Sequence, residues 1–166
     1  GTIAINISSI QIKHSDIFKS ILKELENSKL NPENLEIELT ESYIMEDIEE
    51  SLTILENLKN LGIKLAIDDF GTGYSSLNYL KQFPIDKLKI DKSFVKGLPN
   101  NKKDIAIART ILALGHGLEV KIIAEGVEKE EQKEFLEKQN CDEIQGFLYS
   151  KALKEEDFIN FIKKFN

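Results

Sequence analysis

Residues 63–75 read Ile63-Lys-Leu-Ala-Ile67-Asp68-Asp69-Phe-Gly71-Thr-Gly73-Tyr-Ser75. A largely apolar run ends on two adjacent carboxylates and a glycine-rich turn, as expected of a buried parallel strand that delivers polar groups at its C-terminal end. The pattern recurs along the chain. Strand-like runs are predicted at Thr2 to Ile7, Leu35 to Leu39, Ile63 to Ile67, Lys87 to Ile90, Val120 to Ala124 and, more weakly, Glu143 to Gly146. Between them lie helical stripes: Ile17, Ile21, Leu22 and Leu25; Ile48, Leu52 and Leu55; and Phe158, Phe161, Ile162 and Phe165.

Six βα units suit either an open doubly wound sheet or a barrel, and periodicity alone does not separate the two. The polar residues at the strand ends do: Asn6, then Glu38 and Glu41, Asp68 and Asp69, Lys89 and Asp91, Glu125 and Glu128, and Gln145. Every strand contributes, whereas an open sheet concentrates function at one switch point. The expected fold is therefore α/β, an incomplete (β/α)8 TIM-type barrel with about six units present. A complete barrel usually takes about 250 residues, so about two further units are expected upstream. The strand at Thr2 to Ile7 would then be an open edge, prone to association.

Composition narrows the function. With 22 basic and 29 acidic residues and a net charge of −7, the chain lacks the basic footprint of a DNA-binding protein. The single cysteine, Cys141, forms no intramolecular disulfide and reads as a small apolar filler, which fits a cytoplasmic protein. No apolar run reaches the length of a membrane span. His14 and His116, at helix ends, read as capping or surface residues.

The strand-end acids carry the chemistry. Glu38, Glu41, Asp68, Asp69, Asp91, Glu125 and Glu128 facing one mouth would repel one another unless cations compensated them. With oxygen donors, the Asn6 and Gln145 amides, and no histidine or cysteine nearby, the set suits two Mg²⁺ or Mn²⁺ ions rather than zinc. If the backbone turns at the strand end, Asp68 and Asp69 can both reach a metal pair, an arrangement suited to displacement at phosphorus. Lys89 and Asp91 fall on one strand face. Spacing leaves two readings of Lys89 open: a cation positioning water or phosphate, or half of a structural pair with Asp91. The loop at Gly71 and Gly73 reads as a functional loop or as a tight turn entering a helix; it matches neither the P-loop nor the dinucleotide fingerprint. The acidic run Glu128 to Glu134 reads as a solvated helix face, with Glu128 the exception.

At these residues the chain resembles the EAL family of bacterial cyclic-di-GMP phosphodiesterases. The resemblance rests on Ala4-Ile-Asn-Ile-Ser8, Glu38-Leu-Thr-Glu41, Asp68-Asp-Phe-Gly-Thr-Gly-Tyr-Ser75, Leu88-Lys-Ile-Asp-Lys-Ser-Phe-Val95, Ala124-Glu-Gly-Val-Glu128 and Gln145-Gly-Phe-Leu-Tyr-Ser-Lys151. It implies that residues 1–166 are the C-terminal portion of a single EAL domain that opens cyclic-di-GMP to linear pGpG. It further implies that Asn6, Glu38 and Asp68 hold a first metal, and that Asp68, Asp69 and Glu125 serve a second. Lys89 would position the attacking water, Glu41 would hold the Asp68–Ser75 loop, Asp91 and Glu128 would support the site, and Gln145 would contact water or substrate. The family often dimerises near the Asp-Asp loop and sits beside a sensor or GGDEF domain. The Glu-Ala-Leu tripeptide that names it is absent here and is expected upstream, and Ala152 stands where proline is common. That absent glutamate motivates an alternative, a degenerate EAL module that binds cyclic-di-GMP or a protein without hydrolysis. An unrelated barrel glycosidase is disfavoured, because it needs two carboxylates rather than a ring of acids with a lysine.

Overall fold

The computed structural model describes residues 1–8, 11–12, 17–73 and 77–164; the expectations for His14, Tyr74, Ser75 and Phe165 lie outside the described residues. The chain alternates strand and helix in the order β1 (Ile3–Asn6), α1 (Ile17–Ser28), β2 (Leu35–Thr40), α2 (Glu41–Glu46), α3 (Ile48–Asn60), β3 (Lys64–Phe70), α4 (Leu77–Leu80), β4 (Lys87–Ile90), α5 (Lys92–Val95), α6 (Lys102–Gly117), β5 (Lys121–Ala124), α7 (Glu130–Lys138), β6 (Glu143–Ile144) and α8 (Glu155–Ile162).

All five strand pairings are parallel, and the sheet order is β1-β2-β3-β4-β5-β6. Among the described residues each strand lies beside its sequence neighbour, and the order does not reverse as it must in a doubly wound sheet. The sheet also curls. Lys87 on β4 places its Nζ 3.0 Å from Glu36 Oε2 on β2 and 2.7 Å from Glu143 Oε2 on β6. In a flat sheet β2 and β6 would stand roughly 19 Å apart, at about 4.8 Å per step, so one ammonium reaches both only across a concave face. The expected barrel architecture is present as a six-stranded arc.

Strand periodicity sorts side chains between the two faces. The convex face is aliphatic: Ile37, Leu65, Ile67, Leu88, Ile90 and Ile122 are at most 1% exposed and pack in one core with Leu55, Leu58, Val95, Ile111 and Leu136 from the helices. The concave face is charged, with Glu36, Glu38, Asp68 and Lys89 all buried. Burying ions is unfavourable unless they are paired. The paired layers, Lys87 with Glu36 and Glu143 below and Lys89 with its partners above, therefore determine how this face is built.

The strands differ in length from the sequence expectation. β3 continues through Asp68 and Asp69 to Phe70, whereas β6 shrinks to two residues. The edges are open: all four residues of β1 are exposed, and Phe147, Tyr149, Leu153 and Phe158 are exposed near the other edge. Cys141 is half-buried, and burial pushes its thiol up to about 11, in keeping with a filler. His116 lies in the last turn of α6, 3.8 Å from Asp142, at the surface as expected.

Candidate active site

Lys89 stands at the centre of the concave face, 2% exposed. Its Nζ lies 2.5 Å from Glu38 Oε2 on β2, 3.1 Å from Asp68 Oδ2 on β3 and 2.8 Å from Glu125 Oε1 just past β5. An ammonium has three N–H donors, and here three carboxylates, from β2, β3 and the turn after β5, surround it. The structural alternative, a Lys89–Asp91 pair, does not form: Asp91 instead caps α5 by accepting the Ser93 N–H at 2.9 Å.

Asp68 and Asp69 reach one face by a device the sequence reading placed differently. Ile67 pairs with Leu88 and Phe70 with Ile90, so Asp68 and Asp69 together oppose the single residue Lys89. Such a bulge bends the strand and re-aims a side chain. Asp69 adopts φ +54°, and the Asp68 carboxylate accepts the Asp69 N–H at 2.8 Å. The strand does not turn at its end, as expected from sequence; it bulges within. As a result Asp68, Asp69 and Glu125 each offer an oxygen within 4.8 Å of the others.

The loop after β3 is held from below. Glu41, 1% exposed at the start of α2, accepts the N–H groups of Gly71 at 2.8 Å and Gly73 at 3.2 Å through one carboxylate oxygen. Gly71 has φ +98°, and a Cβ there would come within 2.9 Å of the Phe94 ring. Asn6 ends β1 in register with Glu38. The side chains of Asn6, Glu128 and Gln145 are exposed at the rim. Gln145 meets its neighbours through its backbone, donating to Ala124 O at 2.9 Å and accepting from Val127 N at 3.0 Å.

Charge is unevenly settled in this cluster. Burial alone would lower the Lys89 ammonium, but the hydrogen bonds it donates to Glu125 and Glu38, with the charges of Glu125 and Asp68, push it above the ordinary lysine value. Burial raises Glu125, and the charges of Asp68 and Glu38 add to this, so the Lys89 bond does not bring it back to the ordinary range. Asp69 is raised by burial and by Asp68 and Asp91. Burial would raise Asp91 too, yet hydrogen bonds from Ser93 and Asp69 lower it. Even with Lys89 in place, the acids remain short of positive charge. Oxygen donors in that condition fit a hard divalent cation, which would be held by Asp68, Asp69 and Glu125.

Two features escaped the sequence reading. The lower layer of Lys87 with Glu36 and Glu143 was visible only as alternation in Lys87-Leu-Lys89, and its partners are fixed by sheet curvature. Gln132, 3% exposed, sits three residues after a helix N-cap position, a spacing that signals reciprocal capping; a lysine at the cap hid the signal.

The family profile described as EAL domain matches residues 1–152. The signaling protein YkoW of Bacillus subtilis is 45% identical over 97% of this chain. MucR of Pseudomonas aeruginosa, named a bifunctional diguanylate cyclase/cyclic di-GMP phosphodiesterase, is 45% identical over 95% of it. The chain spans only 20% and 23% of those two proteins. The MucR phosphodiesterase structure, a c-di-GMP complex, superposes with a TM-score of 0.92 over 95% of this chain and 64% of that one. A manganese and c-di-GMP complex of Klebsiella pneumoniae BlrP1, 32% identical, superposes at 0.83 over 90% of this chain and 38% of that one.

Proposed function

The chain belongs to the EAL domain family, and from that premise we propose that it forms the larger part of a phosphodiesterase domain hydrolysing cyclic-di-GMP to linear pGpG with two Mg²⁺ or Mn²⁺ ions. The observation that carries the reading is the convergence of Asp68, Asp69 and Glu125 within 4.8 Å, beside a lysine that alone leaves them undercompensated. Glu38 and Asn6 complete the proposed ligand set. Bound cations would lower the pKa of a water and neutralise the phosphate.

The chain's own groups supply the rest. In the reaction, water adds to one phosphorus, one P–O3′ bond breaks, and the freed 3′ oxygen takes up a proton. Lys89, charged across the neutral range, presents N–H groups to the attacking oxygen or to a phosphate oxygen. Glu41 keeps the 71–73 backbone fixed and thereby holds Asp68 and Asp69 in their bulge. Asp91, fixed by the Ser93 N–H, stands beside Asp69 and is assigned to support of the site. Gln145 and Glu128 at the rim are assigned to substrate or water contact and to support.

The substrate class rests on the likeness to proteins named for it, and three further assignments complete the reading: homodimerisation, a sensor or GGDEF domain upstream in the full-length protein, and a cytoplasmic location. Among the described residues no helix is long and apolar enough to cross a membrane.

A cyclic-di-GMP receptor without turnover is the second reading, and one observation favours it: Lys89 already pairs with Glu38, Asp68 and Glu125. Incubating the full-length protein with cyclic-di-GMP and Mn²⁺ and separating the products distinguishes the two. Accumulation of pGpG is expected; tight binding with no pGpG would favour the receptor.

A further inference from the structure

The amide that fixes the turn carrying Glu125 belongs to none of the site residues assigned above. Gln132 is the third residue of α7. Its Oε1 accepts the backbone N–H groups of Glu128 at 2.8 Å and Lys129 at 3.0 Å, while its Nε2 donates to the carbonyl oxygen of Val95 at 3.1 Å. Lys129 occupies the N-cap position of α7, and a glutamine at the third helical position can reach back to the N-cap backbone N–H. Gln132 does so and takes the Glu128 N–H as well.

The third bond goes further than capping requires. Val95 ends α5, which starts immediately after Asp91, so the amide ties the turn after β5 to the turn after β4. That turn is gripped elsewhere too. The Glu125 N–H donates to Ile90 O at 3.1 Å, and the Val127 N–H to Gln145 O at 3.0 Å. Gly126 has φ +68°, and a Cβ there would lie 2.6 Å from the Lys92 Cβ. One backbone bond to β4 and one to the residue after β6 thus hold the start and middle of the turn, and Gln132 holds its end.

We propose that Gln132 is a positioning residue: through the turn at residues 125–128 it holds the Glu125 carboxylate in reach of Asp68 and Asp69. The inference rests on the functional reading given above. Groups that orient a metal ligand from behind typically account for a 10–100-fold effect on metal affinity or activity. A residue that merely capped α7 would change stability and leave the metal site as it was.

The test titrates Mn²⁺ by calorimetry into the full-length protein and its Gln132→Met and Gln132→Glu variants, alongside thermal melts and steady-state kinetics on cyclic-di-GMP. Gln132→Met is expected to weaken Mn²⁺ binding by about tenfold or more and to lower kcat with KM unchanged. Gln132→Glu keeps the two acceptor contacts but turns a carboxylate oxygen toward the Val95 carbonyl oxygen in place of a donor, so it should fall between. A folded Gln132→Met protein that binds Mn²⁺ as the wild type does, whatever its Tm, overturns the proposal. Should that variant not fold, Gln132→Glu decides alone: weakened binding supports the proposal and wild-type binding overturns it. A wild-type protein that takes up no Mn²⁺ rejects the functional reading itself.

Discussion

The Lys89 ammonium lies 2.5 Å from the Glu38 carboxylate although a whole strand, β3, separates the strands that carry them. The contact is made across the concave face, so the curl of the sheet and the charge balance of the site are the same structural fact.

Lys89→Met removes the cation from three buried or half-buried carboxylates. Breaking a buried pair on one side costs about 3–5 kcal/mol. Urea denaturation without metal should show a loss of that order, and Mn²⁺ should restore part of it, because a bound cation takes over the compensation. A variant as stable as the wild type in the absence of metal would contradict this.

Asp68→Ala removes a carboxylate shared between Lys89 and the Asp69–Glu125 cluster. Turnover of cyclic-di-GMP should fall at least about 10²-fold, the scale of losing a key electrostatic group. Initial rates at saturating Mn²⁺ measure it, and near-normal activity would reject the assignment.

The pH dependence follows from Glu125 and Asp69, both raised, with burial as the largest cause. A proton on either opposes metal binding, so Mn²⁺ affinity should begin to fall on acidification above the ordinary carboxylate range. For the metal-free protein the linkage has a definite sign. The folded state holds these protons to higher pH than the unfolded chain does, so their stabilising contribution is present below the unfolded pKa and is lost as pH rises through the folded one. Glu125→Gln should therefore gain stability relative to the wild type as pH rises through that window. Denaturation curves that keep a constant separation with pH would count against it.

Gly71→Ala places a side chain at φ +98° against Phe94 and Ile111. Strain of that kind costs about 1–3 kcal/mol, and the loop held by Glu41 should loosen with it. Chemical denaturation and kcat should both drop; an unaffected kcat would separate the loop from the reaction.

The barrel architecture was legible because every strand carries a polar residue near or just past its C-terminal end, from Asn6 to Gln145. The same pattern marked Glu38, Asp68, Asp69 and Glu125, three of which converge as a cluster while Glu38 joins through Lys89. Other features were not legible, for physical reasons. Adjacent Asp68 and Asp69 should face opposite ways on a regular strand, and only the bulge opposite Lys89, a property of the pairing, brings them together. The partners of Lys89 depend on curvature, which no local spacing encodes, so the choice between Asp91 and the other acids stayed open. Gln132 was hidden because a lysine stands at the cap of α7, and because its third partner, the Val95 carbonyl, is 37 residues away.

The most direct test of the central claim is the position of Mn²⁺ in crystals of the full-length protein, located by anomalous diffraction at the manganese edge. The account predicts two peaks roughly 3.5–4 Å apart, bound by Asp68, Asp69 and Glu125, with Lys89 no longer in contact with all three of its acids. Manganese absent from that cluster, with Lys89 still bridging Glu38, Asp68 and Glu125, would contradict it.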